Sequence, residues 1–209
     1  MILGDIMSIT RMRMDIDGKG VTTLVTLFDC PLHCAYCIND FCHENSLLYP
    51  EGILHEKFTP EELLEVVEKD SIYFIMSDGG VTFGGGEPLL QTEFIHKFCE
   101  IADEQWNIRI ETSLNVSWEN VEPLIPYISQ WIVDIKDWDK EIYRKYTGID
   151  NDNVVKNLDN LVKITGKEKV HIKVPLIPGY QKEDSVDYSA RKIKERYGIV
   201  PEIFEYIAN

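Results

Sequence analysis

Short runs of β-branched and aromatic residues alternate with capped helical patterns, and no linker, repeat or low-complexity tract divides the 209 residues. Together these predict an α/β fold, an open (β/α)6 partial TIM barrel with a parallel sheet, built from residues 1–209 as a single domain. The length suits one core and is short for two, and 44% hydrophobic content is ordinary for a globular chain. Six strand-helix units are too few for the closed eight-unit barrel, so the sheet should curve but stay open, with its functional groups at the C-terminal ends of the strands.

The strands expected in order are Thr23 to Phe28, Gly80 to Phe83, Ile108 to Thr112, Trp131 to Ile135, Val170 to Leu176 and Glu202 to Tyr206. Helices between them have readable ends. Thr59-Pro60-Glu61-Glu62 offers a capping hydroxyl, proline at the first helical position and an acid placed to complete a capping box, followed by Leu63, Leu64, Val66 and Val67. Val154, Leu158, Leu161 and Val162 share one helical face before Gly166, and Val186, Ala190, Ile193 and Tyr197 share another before Gly198. Each glycine is placed to supply a left-handed C-terminal turn.

Composition narrows the function. The apolar runs, such as Leu24 to Phe28 and Val174 to Ile177, are too short to span a membrane, and no secretory signal opens the chain, so cytoplasm is the expected location. A net charge of −15 repels phosphate backbones and anionic lipid, which argues against nucleic-acid and membrane partners. Four of the five cysteines crowd between Cys30 and Cys42, which is no secreted disulfide framework. Cys99, beside Phe98 and Ile101, reads as a small buried hydrophobe.

Cys30, Cys34 and Cys37 read C-x3-C-x2-C directly after the first strand. Three thiolates can hold three irons of a [4Fe–4S] cubane and leave the fourth iron open. The same spacing admits a closed zinc site with Cys42 or His43 as fourth ligand. Gly84-Gly85-Gly86-Glu87-Pro88 ends the second strand, where missing β-carbons let backbone approach a ligand, although glycines after a strand are often only a turn.

In combination these motifs resemble the radical S-adenosylmethionine (radical SAM) superfamily, and within it the glycyl radical enzyme activating enzymes typified by pyruvate formate-lyase activase. Asp17-Gly18-Lys19-Gly20 is similar to the family's Asp-Gly-Pro-Gly, Cys30 to Cys37 to its cluster loop with an aromatic before the last cysteine, and Gly85-Gly86-Glu87-Pro88 to the motif that meets the methionine amino group. Glu111-Thr112-Ser113 stands for Asp-Thr-Asn, Asp134-Ile135-Lys136 for Asp-x-Lys, and Ile177-Pro178-Gly179-Tyr180 for Val-Pro-Gly-Trp, while Lys173 stands where arginine is common. Lys19 departs from the family's proline, Phe28-Asp29 from Gln-Gly, and Glu111 and Ser113 from Asp and Asn.

The resemblance implies reductive cleavage of S-adenosylmethionine to a 5′-deoxyadenosyl radical that takes a hydrogen atom, preferentially from a glycine of a partner protein. It makes Cys30, Cys34 and Cys37 the cluster ligands, and Tyr36, Gly85, Gly86, Glu87, Asp134 and Lys136 the cofactor contacts. Glu111, Thr112 and Asp134 would hold a monovalent cation, and Asp17 and Lys173 would bind substrate. It also implies a separate electron donor such as flavodoxin or ferredoxin.

Simpler readings exist for each residue: packing over the cluster for Tyr36, a surface ion pair for Asp134 and Lys136, and a turn for Asp17. For the chain as a whole the alternatives are a radical enzyme acting on another peptide or a small molecule, and a non-catalytic iron–sulfur or zinc module. His33, inside the cysteine loop, reads as a surface filler or a neighbour of the substrate, and His55, His96 and His171 as ordinary surface or half-buried residues, so none is assigned a role.

Overall fold

The computed structural model describes residues 2–43, 56–177 and 179–205; His55, Pro178 and Tyr206 lie outside them. All six expected strands form one parallel array, in chain order: β2 (Val21–Leu27), β4 (Gly80–Gly85), β5 (Asn107–Thr112), β6 (Gln130–Asp134), β7 (Val170–Leu176) and β8 (Glu202–Glu205). Two strands were not anticipated. β1 (Gly4–Met14) runs antiparallel beside β2, and the short β3 (Glu56–Phe58) runs antiparallel beside β1, giving an eight-stranded order of β3-β1-β2-β4-β5-β6-β7-β8. The sheet is open, with β3 and β8 as its edges.

Helices α1 (Pro60–Val67) and α2 (Ser71–Ser77) precede β4, α3 (Thr92–Ile101) precedes β5, and α4 (Trp118–Val121) precedes β6. Helices α5 (Lys140–Thr147) and α6 (Asp152–Thr165) lead into β7, and α7 (Glu183–Tyr197) into β8. The capping box forms as expected: Glu62 donates its amide to Thr59 Oγ1 at 3.1 Å, and Thr59 donates its amide to Glu62 Oε2 at 2.7 Å. Gly198 closes α7 in the left-handed conformation at φ 67°, but Gly166 ends α6 at φ 82° with ψ 153°, so the chain leaves that helix extended.

Side chains alternate across the sheet with period two, and the two faces differ in kind. Val25, Leu27, Val81, Phe83, Ile108, Ile110, Trp131, Val133, Ile172 and Val174 point to the convex side and form one core with helix residues such as Leu63, Phe74, Phe98, Leu158 and Ile193. The alternate positions, among them Thr22, Leu24, Thr26, Thr82, Arg109, Glu111, Asp134 and Lys173, face the concave lumen. That lumen is lined mainly by polar and charged groups, and the functional chemistry gathers there.

Candidate active site

The cysteine loop begins where β2 ends, and several main-chain bonds fix it. Gly86 and Glu87 donate their amides to the carbonyls of Leu27 and Asp29 at 2.9 and 2.7 Å, which ties the glycine turn after β4 to the segment entering Cys30. A β-carbon on Gly86 would fall 2.3 Å from the Asp29 carbonyl oxygen, and one on Gly85, at φ 96°, would fall 2.6 Å from Thr26 Cβ. Glycine is therefore required at both positions. On its other side the loop rests on the C-terminal end of α5, where His33 and Ala35 donate amides to the Thr147 and Tyr146 carbonyls at 2.9 and 3.1 Å. These carbonyls are among the acceptors that a helix end leaves free.

Cys30, Cys34 and Cys37 line one cavity of about 720 Å³, its open mouth included, together with Gly85, Gly86, Glu111, Thr112, Asp134 and Lys136. Burial pushes the Cys30 thiol up to about 12 and the Cys34 thiol to about 11, and raises Cys37 as well. Lys136 pairs with Asp134, and although burial works to lower its pKa, the charges of Asp134 and Cys34 raise it well above the ordinary lysine value. Asp134 Oδ1 is buried without a hydrogen-bond partner among the described residues.

The remaining expected residues take other positions. Glu87 is fully buried and outside the cavity wall: its Oε1 accepts from Thr112 Oγ1 at 2.6 Å and the Leu89 amide at 3.3 Å, and its Oε2 accepts from the Ser113 amide at 3.0 Å and hydroxyl at 2.7 Å. Tyr36 meets Tyr180 edge to face at 5.7 Å, and Tyr180 meets Tyr146 at 5.4 Å. Glu111 pairs with Lys173 at 3.1 Å, and Asp17 pairs with Arg13. Glu111, Thr112 and Asp134, the residues expected to hold a cation, all line the cavity and also bond to Lys173, Glu87 and Lys136 respectively.

Asn39, Ser113 and Tyr146 also line the cavity. Asn39 donates Nδ2 to the Gly85 carbonyl at 3.1 Å, Ser113, the last residue of the Glu111-Thr112-Ser113 motif, braces Glu87, and Tyr146 arrives from α5. Asn39 lies just past the cysteine loop in the chain, and Tyr146 carried no signal in the sequence.

The donor set suits an iron–sulfur cluster. Cys30, Cys34 and Cys37 share one cavity, near enough for the charge of one thiolate to reach the next. A cubane takes three such thiolates on three irons and leaves its fourth iron open. Cys42, the suggested fourth zinc ligand, is buried with Met7 and Phe28 in a cluster against which Cys30 also packs, and His43 stacks on His33 at 4.5 Å. The unmatched Asp134 oxygen also calls for a donor from a bound group.

Residues 24–188 match the family model described as the radical SAM superfamily. The chain belongs to that superfamily. Its sequence is 37% identical to the (2S)-3-sulfopropanediol dehydratase activating enzyme of Klebsiella oxytoca, across 78% of this chain and 68% of that one. It is 33% identical to the 4-hydroxyphenylacetate decarboxylase activating enzyme of Clostridioides difficile across 81% of this chain, which spans about half of that relative (52%). Among solved structures, a domain of a pyruvate-formate lyase-activating enzyme from Bacteroides vulgatus aligns over 60% of this chain and 78% of that one, with TM-score 0.50 and 27% identity. SuiB from Streptococcus suis, bound to S-adenosylmethionine, covers 89% of this radical SAM chain and 41% of its own, at TM-score 0.63 and 15% identity, a likeness of fold alone. Among the described residues no helix is long and apolar enough to cross a membrane.

Proposed function

We propose that this radical SAM protein is an activating enzyme that installs a radical on a glycine of a separate protein. The observation that carries the reading is the convergence of Cys30, Cys34, Cys37, the Gly85-Gly86 turn and the Asp134–Lys136 pair on one cavity, in a chain most of which aligns with activating enzymes. When bound, a [4Fe–4S] cluster with S-adenosylmethionine supplies reductive cleavage to a 5′-deoxyadenosyl radical, the hydrogen-atom acceptor.

The chain's own residues then have distinct tasks. Cys30, Cys34 and Cys37 hold the cluster. Gly85 and Gly86 let main-chain groups approach the cofactor without a β-carbon between. Asp134 presents an unmatched acceptor, and Lys136 a buried positive charge beside Cys34. Glu87 sets the turn through the bonds its side chain accepts from Thr112, Ser113 and Leu89. Tyr36, Tyr146 and Tyr180 form an aromatic wall that excludes water. A monovalent cation at Glu111, Thr112 and Asp134 would add its charge to that of Lys173 and Lys136 on the same wall. An electron donor of the flavodoxin or ferredoxin type, in the cytoplasm, completes the reading.

The test is to incubate reduced, cofactor-loaded protein with candidate partner enzymes and record electron paramagnetic resonance spectra. A carbon-centred doublet that loses its splitting when the partner's glycine carries deuterium at the α-carbon is expected. Turnover of a small metabolite with no radical on any partner would overturn the activating-enzyme reading.

A further inference from the structure

Arg13 is a charged lumen residue that none of the motifs accounts for. Strand β1 carries a register shift between Thr10 and Arg13, and Met12 within it has φ 59°, a left-handed conformation unfavourable for a methionine. Without that extra residue, Arg13 would alternate onto the same face as Arg11, which crosses the convex side to Asp70 at 2.7 and 2.6 Å. With it, Arg13 stands opposite Thr22 and turns into the lumen. Bulges re-aim side chains in this way, and here the bulge re-aims a guanidinium.

Inside the lumen, Arg13 forks onto Asp17, with Nη2 donating to Oδ1 at 3.1 Å and Nε donating to Oδ2. The turn carrying Asp17 is held from below. Thr82 Oγ1 donates to the Asp17 carbonyl at 2.7 Å, and Arg109 Nη2 donates to the Lys19 carbonyl at 3.1 Å. A β-carbon on Gly18 would meet the Arg109 side chain at 2.5 Å, so glycine there admits the arginine that closes this end of the lumen. Above the turn, Glu111 lies near enough for its charge to reach Arg13 and also pairs with Lys173, whose charge in turn feels Asp134.

The lumen between the closed end and the thiols is therefore a strip of paired charges: Asp17–Arg13, Glu111–Lys173 and Asp134–Lys136. Each pair sets donors beside acceptors with no net charge, and an apolar ligand would strip the pairs of solvent without replacing those bonds. An extended main chain, neutral and alternating between C=O and N–H, matches such a strip. Arg13 spends two of its five N–H donors on Asp17, and its side chain is 27% exposed, so it has donors to offer. A substrate carboxylate at that point would face Glu111, whereas a carbonyl would not be repelled.

We propose that Arg13 is a specificity-determining residue, turned into the barrel by the bulge at Met12 and held there by its fork on Asp17, that donates to a main-chain carbonyl beside the target glycine. This rests on the reading of the protein as a peptide-modifying radical enzyme. The probes are fluorescent glycine-centred heptapeptides taken from the glycine loops of candidate partners, titrated anaerobically against cluster-loaded, cofactor-bound protein. The parent binds at least one. Arg13→Met binds that peptide about tenfold more weakly, and Arg13→Lys, which keeps the charge but not the fork, falls between, provided thermal melting shows both to be folded.

Replacing a carbonyl next to the glycine by a thioamide, a weaker acceptor, separates contact from mere structural support. It weakens the parent about tenfold and Arg13→Met less than twofold, since the two changes remove the same bond. Equal affinity of the parent and Arg13→Met, or an equal thioamide penalty in both, overturns the role of Arg13 while leaving the peptide reading intact. Failure of the parent to bind any of the peptides removes the peptide reading, and this inference with it.

Discussion

Ser113 donates both its main-chain amide and its hydroxyl to one oxygen of Glu87, at 3.0 and 2.7 Å, and so joins the end of β5 to the glycine turn after β4. The direction of these bonds is fixed. Thr112 Oγ1 already accepts from the Leu114 amide and Ser113 Oγ from the Asn115 amide, so both hydroxyl protons point at Glu87. Burial pushes the Glu87 carboxyl up, while the bonds from Ser113 and Thr112 pull it down, and every bond it makes is an accepted one. Glu87→Gln places an amide N–H against one pair of donors, with an expected loss of about 1–3 kcal/mol in urea unfolding. Thr112→Val combined with Ser113→Ala should add little further loss on top of Glu87→Gln. Full additivity would contradict a shared clamp.

The thiols divide into two groups. Anaerobic reconstitution should give about four irons per chain, and Cys30→Ala, Cys34→Ala and Cys37→Ala should each lose the intact cluster. Cys42, packed with Met7 and Phe28, and Cys99, packed against the core, should be replaceable by alanine at about 1 kcal/mol of stability with iron retained. Iron lost from Cys42→Ala alone would restore the closed four-ligand alternative.

Asp134 and Lys136 should act on the cofactor and not on the cluster. Each occupies the cavity wall, and neither is a thiol. Asp134→Ala leaves a buried ammonium unpaired, and Lys136→Ala leaves a carboxylate with one oxygen already unmatched. Affinity for S-adenosylmethionine, measured by calorimetry, should fall about tenfold or more in each variant while iron content holds. Parent-like affinity in both would show that the β6 end is not a cofactor contact.

Much of the site could be read from the sequence because its ligands are local. Cys30, Cys34 and Cys37 lie within one loop, and Asp134 and Lys136 share a side of the strand end through the period of two. The six parallel strands announced themselves by their β-branched runs. Strand β1 did not, because arginines at 11 and 13 on opposite faces and a bulge between them erase the alternation that marks a strand. Tyr146 was missed for a different reason: it meets the site through contacts that only the folded chain brings together, and the bracing of Glu87 by Ser113, a residue that did stand in a motif, likewise needed the folded sheet to show it. The left-handed turn expected at Gly166 failed because positive φ is compatible with an extended ψ, which glycine also allows.

Between α6 and α7 a surface cluster makes the acid limb of stability testable. Arg196 forks onto Asp159 at 2.7 and 2.5 Å and Tyr197 donates its hydroxyl at 2.9 Å, so the hydrogen bond from Arg196 holds the Asp159 carboxyl below its ordinary range. A lowered folded-state pKa contributes stability above the unfolded value of about 3.9, and that contribution fades as pH falls through the folded value. Both side chains are substantially exposed, 49% and 39%, so Arg196→Met should cost no more than about 1 kcal/mol at pH 7. The difference from the parent should shrink as the pH falls below the unfolded value in chemical unfolding, and a constant gap would contradict the pairing.

The most direct test of the central claim is product release from the reduced protein. With cluster loaded and dithionite present, S-adenosylmethionine should yield 5′-deoxyadenosine and methionine in equal amounts by chromatography, and Cys34→Ala should yield neither. A parent protein that carries about four irons and binds the cofactor, yet forms no 5′-deoxyadenosine under these conditions, would contradict radical chemistry at this site.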